Sequence, residues 1–175
     1  MRRLLFGGLV QRPLTEPAPL ASDAALDEVT KALGRVARVK LGRSLAIRVV
    51  DAGSCNGCEL ELHALSNAFY DLERFGLHVV ASPRHADVLL VTGPVTRNMR
   101  DALQLTYDAM PHPKWVVALG DCGHDGGCFA GSYAIVGGVG AVVPVDVTIP
   151  GCPPRPIAIL QGLLALLEGT VRQKS

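Results

Sequence analysis

The chain has 175 residues, enough for one domain with a substantial core and too few for two ordinary domains. It carries 17 basic and 16 acidic residues, so its net charge of +1 gives no reason to expect a nucleic acid or an acidic polymer as partner. Hydrophobic residues make up 49% of the chain, yet no apolar run reaches the roughly 18 to 20 residues that span a bilayer. We therefore attribute the apolar excess to contacts with partner subunits.

The first 21 residues are predicted to form an arm and a linker, followed by one domain at residues 22–175. Two arginines at positions 2 and 3 precede an apolar stretch that ends at Val10, at the short limit for the core of an export signal. We interpret this stretch as a basic, apolar arm that lies on a membrane surface or a partner, with a disordered tail as the alternative. Three prolines within residues 13–19 predict an extended linker.

The first half of the domain is predicted to run helix, strand, helix. The first helix is capped by Ser22, and its apolar stripe consists of Leu26, Val29, Leu33 and Val36. Residues 45–50 are rich in branched side chains and indicate the first core strand. A second helix follows Cys58, with an apolar stripe of Leu62, Leu65, Phe69 and Leu72. The N-terminus of this helix should therefore point toward the loop that follows the first strand.

The second half continues the alternation. Strands are predicted at residues 77–81, 86–91, 115–119 and 142–149, and a glycine-rich excursion at residues 123–140. The helix between the second and third of these strands is marked by Met99, Leu103, Thr106 and Met110. A final helix starts at Pro156 and ends at Gly169, with inward residues Ile157, Leu160, Leu164 and Leu167. This pattern predicts a doubly wound α/β domain with a mainly parallel sheet.

Four cysteines lie in loops that follow strand-like runs. Cys55 and Cys58 form a C-x-x-C pair after the first strand, Cys122 follows the strand at residues 115–119, and Cys152 follows the last strand. Ligands in doubly wound folds sit beyond the carboxyl ends of the strands, so we expect the four thiols to converge on one soft metal centre. The adjoining helix N-terminus should stabilise the thiolates and lower the thiol pKa.

The spacing of these cysteines favours a [4Fe-4S] cluster. Structural zinc usually uses two closely spaced pairs, whereas here one pair is completed by two distant single cysteines. Cys152 also precedes a proline, as cluster cysteines of bacterial ferredoxins do. Glycines crowd the three loops, which lets backbone amides approach sulfur. A zinc ion and uncoordinated thiols are the alternatives, and the odd total of five cysteines argues against a disulfide scaffold.

Other residues near these loops have chemistry of their own. Glu59 follows Cys58, and we favour a solvated acid in the first helical turn, with a proton-coupling carboxylate as the alternative. Cys128 is the fifth cysteine, and we favour a buried small hydrophobe over a replacement ligand. His124 and Asp125 could form an acid-base pair, but neighbours in a glycine-rich loop more often serve its turn chemistry.

Five segments together resemble the small electron-transfer subunit of membrane-bound, energy-converting [NiFe] hydrogenases of the formate hydrogenlyase type. They also resemble the homologous B subunit of NADH:quinone oxidoreductase, respiratory complex I. The segments are residues 51–59, 92–97, 120–122, 133–138 and 143–156. The complex I subunit typically has adjacent cysteines in its first loop, so the pair Cys55 and Cys58 favours the hydrogenase branch. Cys128 departs from the pattern, because a different residue is expected there.

The resemblance implies a single flavodoxin-like domain with one [4Fe-4S] cluster bound by Cys55, Cys58, Cys122 and Cys152. It implies an oxidoreductase subunit that relays single electrons, with the catalytic centre in a large partner subunit that holds a nickel-iron site. In the complex I alternative, that partner holds a quinone pocket.

Further partners implied by the resemblance are a ferredoxin-like iron-sulfur subunit and integral membrane subunits, which would hold the chain peripherally at the cytoplasmic face of the cell membrane. Two rival hypotheses are an assembly subunit with structural zinc and a standalone ferredoxin-like carrier. The carrier fits poorly with the apolar excess.

Overall fold

The computed structural model describes residues 24–169. The predicted arm and linker, and the predicted helix cap Ser22, lie outside these residues, so the domain boundary stays a prediction. The helices are α1 (Ala24–Leu41), α2 (Gly57–Leu65), α3 (Arg100–Asp108), α4 (Gly120–Asp125) and α5 (Pro156–Glu168). The strands are β1 (Leu45–Asp51), β2 (Leu77–Val79), β3 (Val88–Thr92), β4 (Val95–Thr96), β5 (Trp115–Leu119), β6 (Ile135–Gly137) and β7 (Val147–Ile149). No helix within residues 24–169 is long and apolar enough to cross a membrane.

Five strands form one parallel sheet in the order β2-β1-β3-β5-β7. Counted along the chain, these strands have the order 2-1-3-4-5, which is the flavodoxin-like order of doubly wound folds. The predicted fold class is therefore confirmed. The direction of winding reverses at β1 and β3, and the loop after β1 carries the first cysteine pair.

The core consists of two apolar layers, one on each face of the sheet. The first layer packs α1, α2 and α5 against the sheet through residues such as Leu33, Leu65 and Leu163. The second layer packs α3 and the segment around Val139 against the other face. All five residues of β3 are buried, as expected for a central strand covered on both sides. The two layers hold the strand ends, and the loops that follow them, in fixed positions.

A buried carboxylate fixes the opposite end of the sheet. Asp87 is only 4% exposed, accepts a hydrogen bond from the Arg43 guanidinium (2.6 Å), and accepts another from the backbone N–H of Ala46 (3.0 Å). We expect Asp87→Ala to lower the free energy of unfolding by about 1–3 kcal/mol, because it leaves a buried backbone donor unsatisfied. Chemical unfolding followed by circular dichroism would measure this loss. The same substitution at the exposed Glu73 should change stability by less than about 0.5 kcal/mol, and equal losses would contradict this role of Asp87.

The second helix is shorter than predicted. It ends at Leu65, and Phe69 is 56% exposed rather than part of the apolar stripe. The cause is the side chain of Asn67, whose Oδ1 accepts hydrogen bonds from the backbone N–H groups of Phe69 (2.8 Å) and Tyr70 (3.0 Å). An asparagine that bonds the backbone two residues ahead forms a turn that competes with the helix.

Three other predictions need correction. The buried face of α5 is centred on Leu163, so that Ile157 and Leu164 are only partly buried. The predicted strand at residues 142–149 is reduced to β7, because residues 142–146 form turns and a loop. The glycine-rich excursion contains β6, which pairs antiparallel with β4. Strands this short show no periodicity, so the sequence did not indicate them.

Candidate metal centre

The loop after β1 is shaped by hydrogen bonds from its own side chains. Asp51 Oδ1 accepts bonds from the backbone N–H groups of Gly53 (2.8 Å) and Ser54 (2.7 Å). Ser54 Oγ accepts a bond from the N–H of Asn56 (3.1 Å), and Asn56 has a left-handed backbone with φ of 70°. This reversal starts α2 at Gly57. Cys55 therefore lies just before the helix and Cys58 lies in its first turn.

A neighbouring loop supports this one from the side. The backbone N–H of Thr96 donates to the carbonyl of Ala52 (2.9 Å), and the Thr96 hydroxyl donates to the same oxygen (3.0 Å). Gly93 lies so close that a Cβ there would be 2.5 Å from the backbone nitrogen of Ser54. The segment at residues 92–97, which carries part of the family resemblance, thus holds the first cysteine loop in place.

The other two cysteine loops are joined to each other. The backbone N–H of Asp121 donates to the carbonyl of Gly151 (3.0 Å), and the N–H of Gly151 donates to Asp121 Oδ1 (2.8 Å). Gly120 has a φ of +80°, and a Cβ on it would lie 2.8 Å from Cys58 Sγ. All three loops therefore meet at Gly120, which has no room for a side chain.

The four predicted cysteines line a single cavity of about 130 Å³ at the carboxyl edge of the sheet. Cys122 is buried, Cys58 is half-buried, and Cys55 and Cys152 are exposed. The remaining lining residues come from the same loops and from the loop after β3: Ser54, Gly57, Gly93, Asp121, Gly151 and Pro153. The cavity is thus closed on the side of the sheet and open beside two thiols. Their role as ligands stays a prediction.

Cys128 lies outside this set. It occupies the 3-10 turn Gly127–Phe129 and is exposed, so its interpretation as a buried small hydrophobe is wrong. The chain turns outward there because Asp125 Oδ1 accepts a hydrogen bond from the N–H of Gly127 (2.8 Å). Asp125 therefore serves turn chemistry, the interpretation favoured over an acid-base pair. Burial raises the pKa of Cys122, and the charge of the adjacent Cys128 raises it further.

The electrostatics of the site differ from the expected effect of the helix N-terminus. The pKa of the Cys58 thiol is raised to about 12, first by burial and then by the negative charges of Glu59, Cys122, Cys55 and Cys152. Burial and mutual repulsion therefore set the direction of this shift, and the expected lowering of the Cys58 pKa is wrong. Four thiolates so close together need a positive charge between them, which a metal centre provides.

The donor set suits an iron-sulfur cluster, whereas tetrahedral zinc needs four sulfurs at about 2.3 Å from a single point. The four sulfurs instead surround a cavity, and thiolate ligands of this kind hold iron-sulfur clusters. Cys55, Cys58, Cys122 and Cys152 would hold such a cluster.

Comparison with known proteins agrees with this geometry. The sequence profile of the family described as NADH ubiquinone oxidoreductase, 20 Kd subunit, matches residues 55–166, which include all four cysteines. The chain belongs to this family. The resemblance drawn from the five sequence segments is therefore confirmed, and family membership makes the chain part of a group of oxidoreductase subunits.

Curated members of the family and its relatives carry both hydrogenase and quinone reductase names. The chain is 44% identical to formate hydrogenlyase subunit 7 of Escherichia coli over 158 residues, which is 90% of this chain but only 60% of that protein. It is 48% identical over 128 residues to a protein of Pyrococcus furiosus named "Probable membrane-bound hydrogenase subunit", covering 73% of this chain and 77% of that one. It is also 48% identical over 118 residues to the B subunit of NADH-quinone oxidoreductase from Clostridium beijerinckii, covering 67% and 70%.

Solved structures show the same fold. A chain of the archaeal membrane-bound sulfane sulfur reductase superposes with a TM-score of 0.65 at 36% identity, covering 79% of this chain and 75% of that one. A chain of an NAD+-reducing [NiFe]-hydrogenase superposes with a TM-score of 0.57 at 20% identity, covering 73% and 93%. The second comparison supports the fold alone.

Sequence reasoning found the cysteines but not the residues that position them. The aspartates at positions 51 and 121 each organise a cysteine loop through backbone N–H groups. The signal for Asp51 was present, since an aspartate two residues before a glycine often forms such a turn. The partner of Asp121 is 30 residues away, so no local pattern could have identified it.

Proposed function

We propose that this chain is the electron-transfer subunit of a membrane-associated [NiFe] hydrogenase complex and carries one [4Fe-4S] cluster. The observation that carries the proposal is the convergence of Cys55, Cys58, Cys122 and Cys152, from three loops, on one cavity at the carboxyl edge of a flavodoxin-like sheet. The match to a formate hydrogenlyase subunit extends over 90% of this chain, against 67% for the quinone oxidoreductase subunit, and so supports the hydrogenase branch. The alternative is the B subunit of a NADH:quinone oxidoreductase-type complex, which the C-x-x-C pair makes the weaker candidate.

The bound cluster would supply reversible one-electron storage, with a potential set by its charge, hydrogen bonds and exposure. The chain's own residues hold and shield it. Asp51 and Asp121 fix the loops that present the thiols, and Gly120 leaves room for Cys58. The sheet side is closed by Cys122, so electrons would enter and leave on the side where Cys55 and Cys152 are exposed.

This exposed side would face the large partner subunit, which we propose holds the nickel-iron site. A ferredoxin-like iron-sulfur subunit would exchange electrons with it, and integral membrane subunits would hold the complex at the cytoplasmic face of the cell membrane. The names of the Pyrococcus furiosus relative and of the sulfane sulfur reductase, both membrane-bound, support a peripheral membrane location for this chain. Leu60, two residues after Cys58, is 62% exposed, as expected for a surface that a partner covers.

Reduction of the cluster under hydrogen distinguishes a hydrogenase complex from a quinone reductase complex. The complex should be purified without oxygen and exposed to hydrogen gas while the EPR spectrum is recorded. We expect the EPR signal of a reduced [4Fe-4S] cluster to appear under hydrogen and to disappear on oxidation. A cluster that stays oxidised under hydrogen but is reduced when NADH or quinol is supplied would favour the quinone reductase alternative.

Glu59 is proposed as the proton-coupling carboxylate beside the cluster. Both of its carboxylate oxygens are enclosed and have no hydrogen-bond partner in the described part of the chain. We expect Glu59→Gln to lower turnover per assembled complex by about 10²-fold, the lower range for loss of a positioned proton-transfer group, while the EPR signal keeps its intensity. Glu61→Gln, on the same helix, is the matched control. Unchanged turnover in Glu59→Gln would remove this role.

A further inference from the structure

A second cavity, of about 310 Å³, lies between α2 and the edge strand β2. It is lined by Val49, Glu59, Leu62, His63, Ser66 and Val79. Glu59 directly follows Cys58, so this cavity adjoins the cysteine site without containing any of the thiols. Three of its six lining residues are aliphatic, His63 and Ser66 are polar, and Glu59 is the one carboxylate among them.

The carboxylate of Glu59 has no partner within residues 24–169. Both oxygens are buried without a hydrogen bond, and neither ion pair found in this part of the chain involves Glu59. The side-chain nitrogen Nε of Arg48 is also buried without a partner. However, Arg48 and Val49 are consecutive in β1 and point to opposite faces of the sheet, and Val49 is the one that lines the cavity. A buried carboxylate without a counter-charge is strongly unfavourable, so the isolated chain is incomplete here.

The rim of the cavity has the character of a contact surface. Val79, which lines the cavity, is 56% exposed, and Leu60, next to Glu59 in α2 but outside the cavity lining, is 62% exposed. β2 is the terminal strand of the sheet, and no other strand within the described residues pairs with its outer edge. Exposed aliphatic side chains around an enclosed charge are typical of the centre of a protein interface, where water is excluded around a few anchoring groups.

We propose that this cavity receives an arginine side chain from the large partner subunit, whose guanidinium pairs with Glu59. The proposal deepens the function proposed above and rests on it. Two unpartnered oxygens on one carboxylate match the two parallel N–H donors of a guanidinium, which a lysine cannot offer. Val49, Leu62 and Val79 would contact the methylene stem. Since Glu59 adjoins Cys58, this anchor fixes the partner beside the cluster. A guanidinium keeps its paired carboxylate ionised, so this anchor and the proton-coupling role of Glu59 are alternatives. Weaker partner binding in Glu59→Gln supports the anchor, whereas lower turnover with unchanged partner binding supports proton coupling.

Association of the two subunits tests the proposal. The large subunit is co-expressed with this chain, which carries an affinity tag. The recovery of the large subunit and the dissociation constant of the complex are then measured for Glu59→Gln and Glu59→Lys. We expect Glu59→Gln to raise Kd at least about tenfold, equivalent to about 1.4 kcal/mol, and Glu59→Lys to abolish co-purification. Glu61→Gln and Glu61→Lys, on the same helix but outside the cavity, should bind as the unaltered chain does.

Iron content distinguishes loss of the proposed contact from misfolding of the variant. Each variant should keep the iron content of the unaltered chain. If Glu59→Lys loses iron, the test of partner binding rests on Glu59→Gln, which is nearly isosteric with the unaltered side chain. Partner binding by Glu59→Gln that equals that of the unaltered chain would overturn the proposal. Absence of iron from the unaltered chain would instead contradict the proposed function, while the association measurement would still stand.

The partner residue can be identified directly. A photo-crosslinking amino acid in place of Val79, at the exposed rim, should attach to a large-subunit peptide that contains an arginine. Substitution of that arginine by alanine should weaken binding to the unaltered chain but add little to the effect of Glu59→Gln, as expected for two groups that interact. Fully additive losses would contradict the pairing.

Discussion

Replacing Cys122 with serine is expected to remove the cluster and all electron transfer that depends on it. Cys122 is the most deeply buried of the four thiols, 8% exposed, so no solvent ligand can readily take its place. Serine offers a hard oxygen where iron-sulfur chemistry needs a soft thiolate. Loss of a residue that merely supports a metal ligand typically lowers metal affinity by about 10–100-fold. Loss of a ligand itself should therefore lower the iron content by more than about tenfold. Iron and sulfide analysis of protein purified without oxygen measures the loss.

Cys128→Ser provides the matched control for this result. Cys128 lies six residues further along the chain and contacts Cys122, yet it is exposed and does not line the cavity. We expect this variant to keep its iron and its EPR spectrum. Equal loss of iron from both variants would mean that Cys128 is a ligand, and retention of iron in Cys122→Ser would remove Cys122 from the ligand set.

Substitution of Gly120 by alanine should be nearly as damaging as loss of a ligand. A Cβ at this position would lie 2.8 Å from Cys58 Sγ and 3.2 Å from the carbonyl oxygen of Gly151, and both atoms belong to other cysteine loops. The positive φ of +80° adds backbone strain of about 1–3 kcal/mol. We therefore expect Gly120→Ala to lower both the thermal stability and the iron content.

Gly131→Ala separates the effect of backbone strain from the effect of the close contact with Cys58 Sγ. Gly131 has the same φ of +80°, but a Cβ there would have nothing within 4 Å. This control should lose a similar amount of stability through strain and should keep its iron. If Gly120→Ala retains as much iron as Gly131→Ala, the three loops do not meet at Gly120 as described.

The sequence was sufficient for the parts of the fold that rest on long apolar runs. The strand at residues 115–119 was predicted with the observed bounds, and the central strand β3 was recognised from its continuous apolar run. The site followed from the same reasoning, because parallel strands bring the loops after β1, β5 and β7 to one edge. The sequence alone therefore predicted that the three cysteine loops lie together.

What the sequence could not predict depends on contacts between distant or irregular segments. The bonds between Asp121 and Gly151 join residues 30 positions apart. The exposure of Cys128 follows from a single turn bonded through Asp125, in a region without periodicity. The raised pKa of Cys58 reflects burial and four neighbouring acidic groups, three of them thiols whose convergence the fold creates. The helix N-terminus, inferred from local sequence, predicted the opposite direction.

The most direct test of the central claim is the iron, sulfide and zinc content of the protein purified without oxygen. A chain whose four thiols hold one [4Fe-4S] cluster should contain iron and acid-labile sulfide in equal amounts, with no stoichiometric zinc. One zinc ion per chain, without sulfide, would contradict the account.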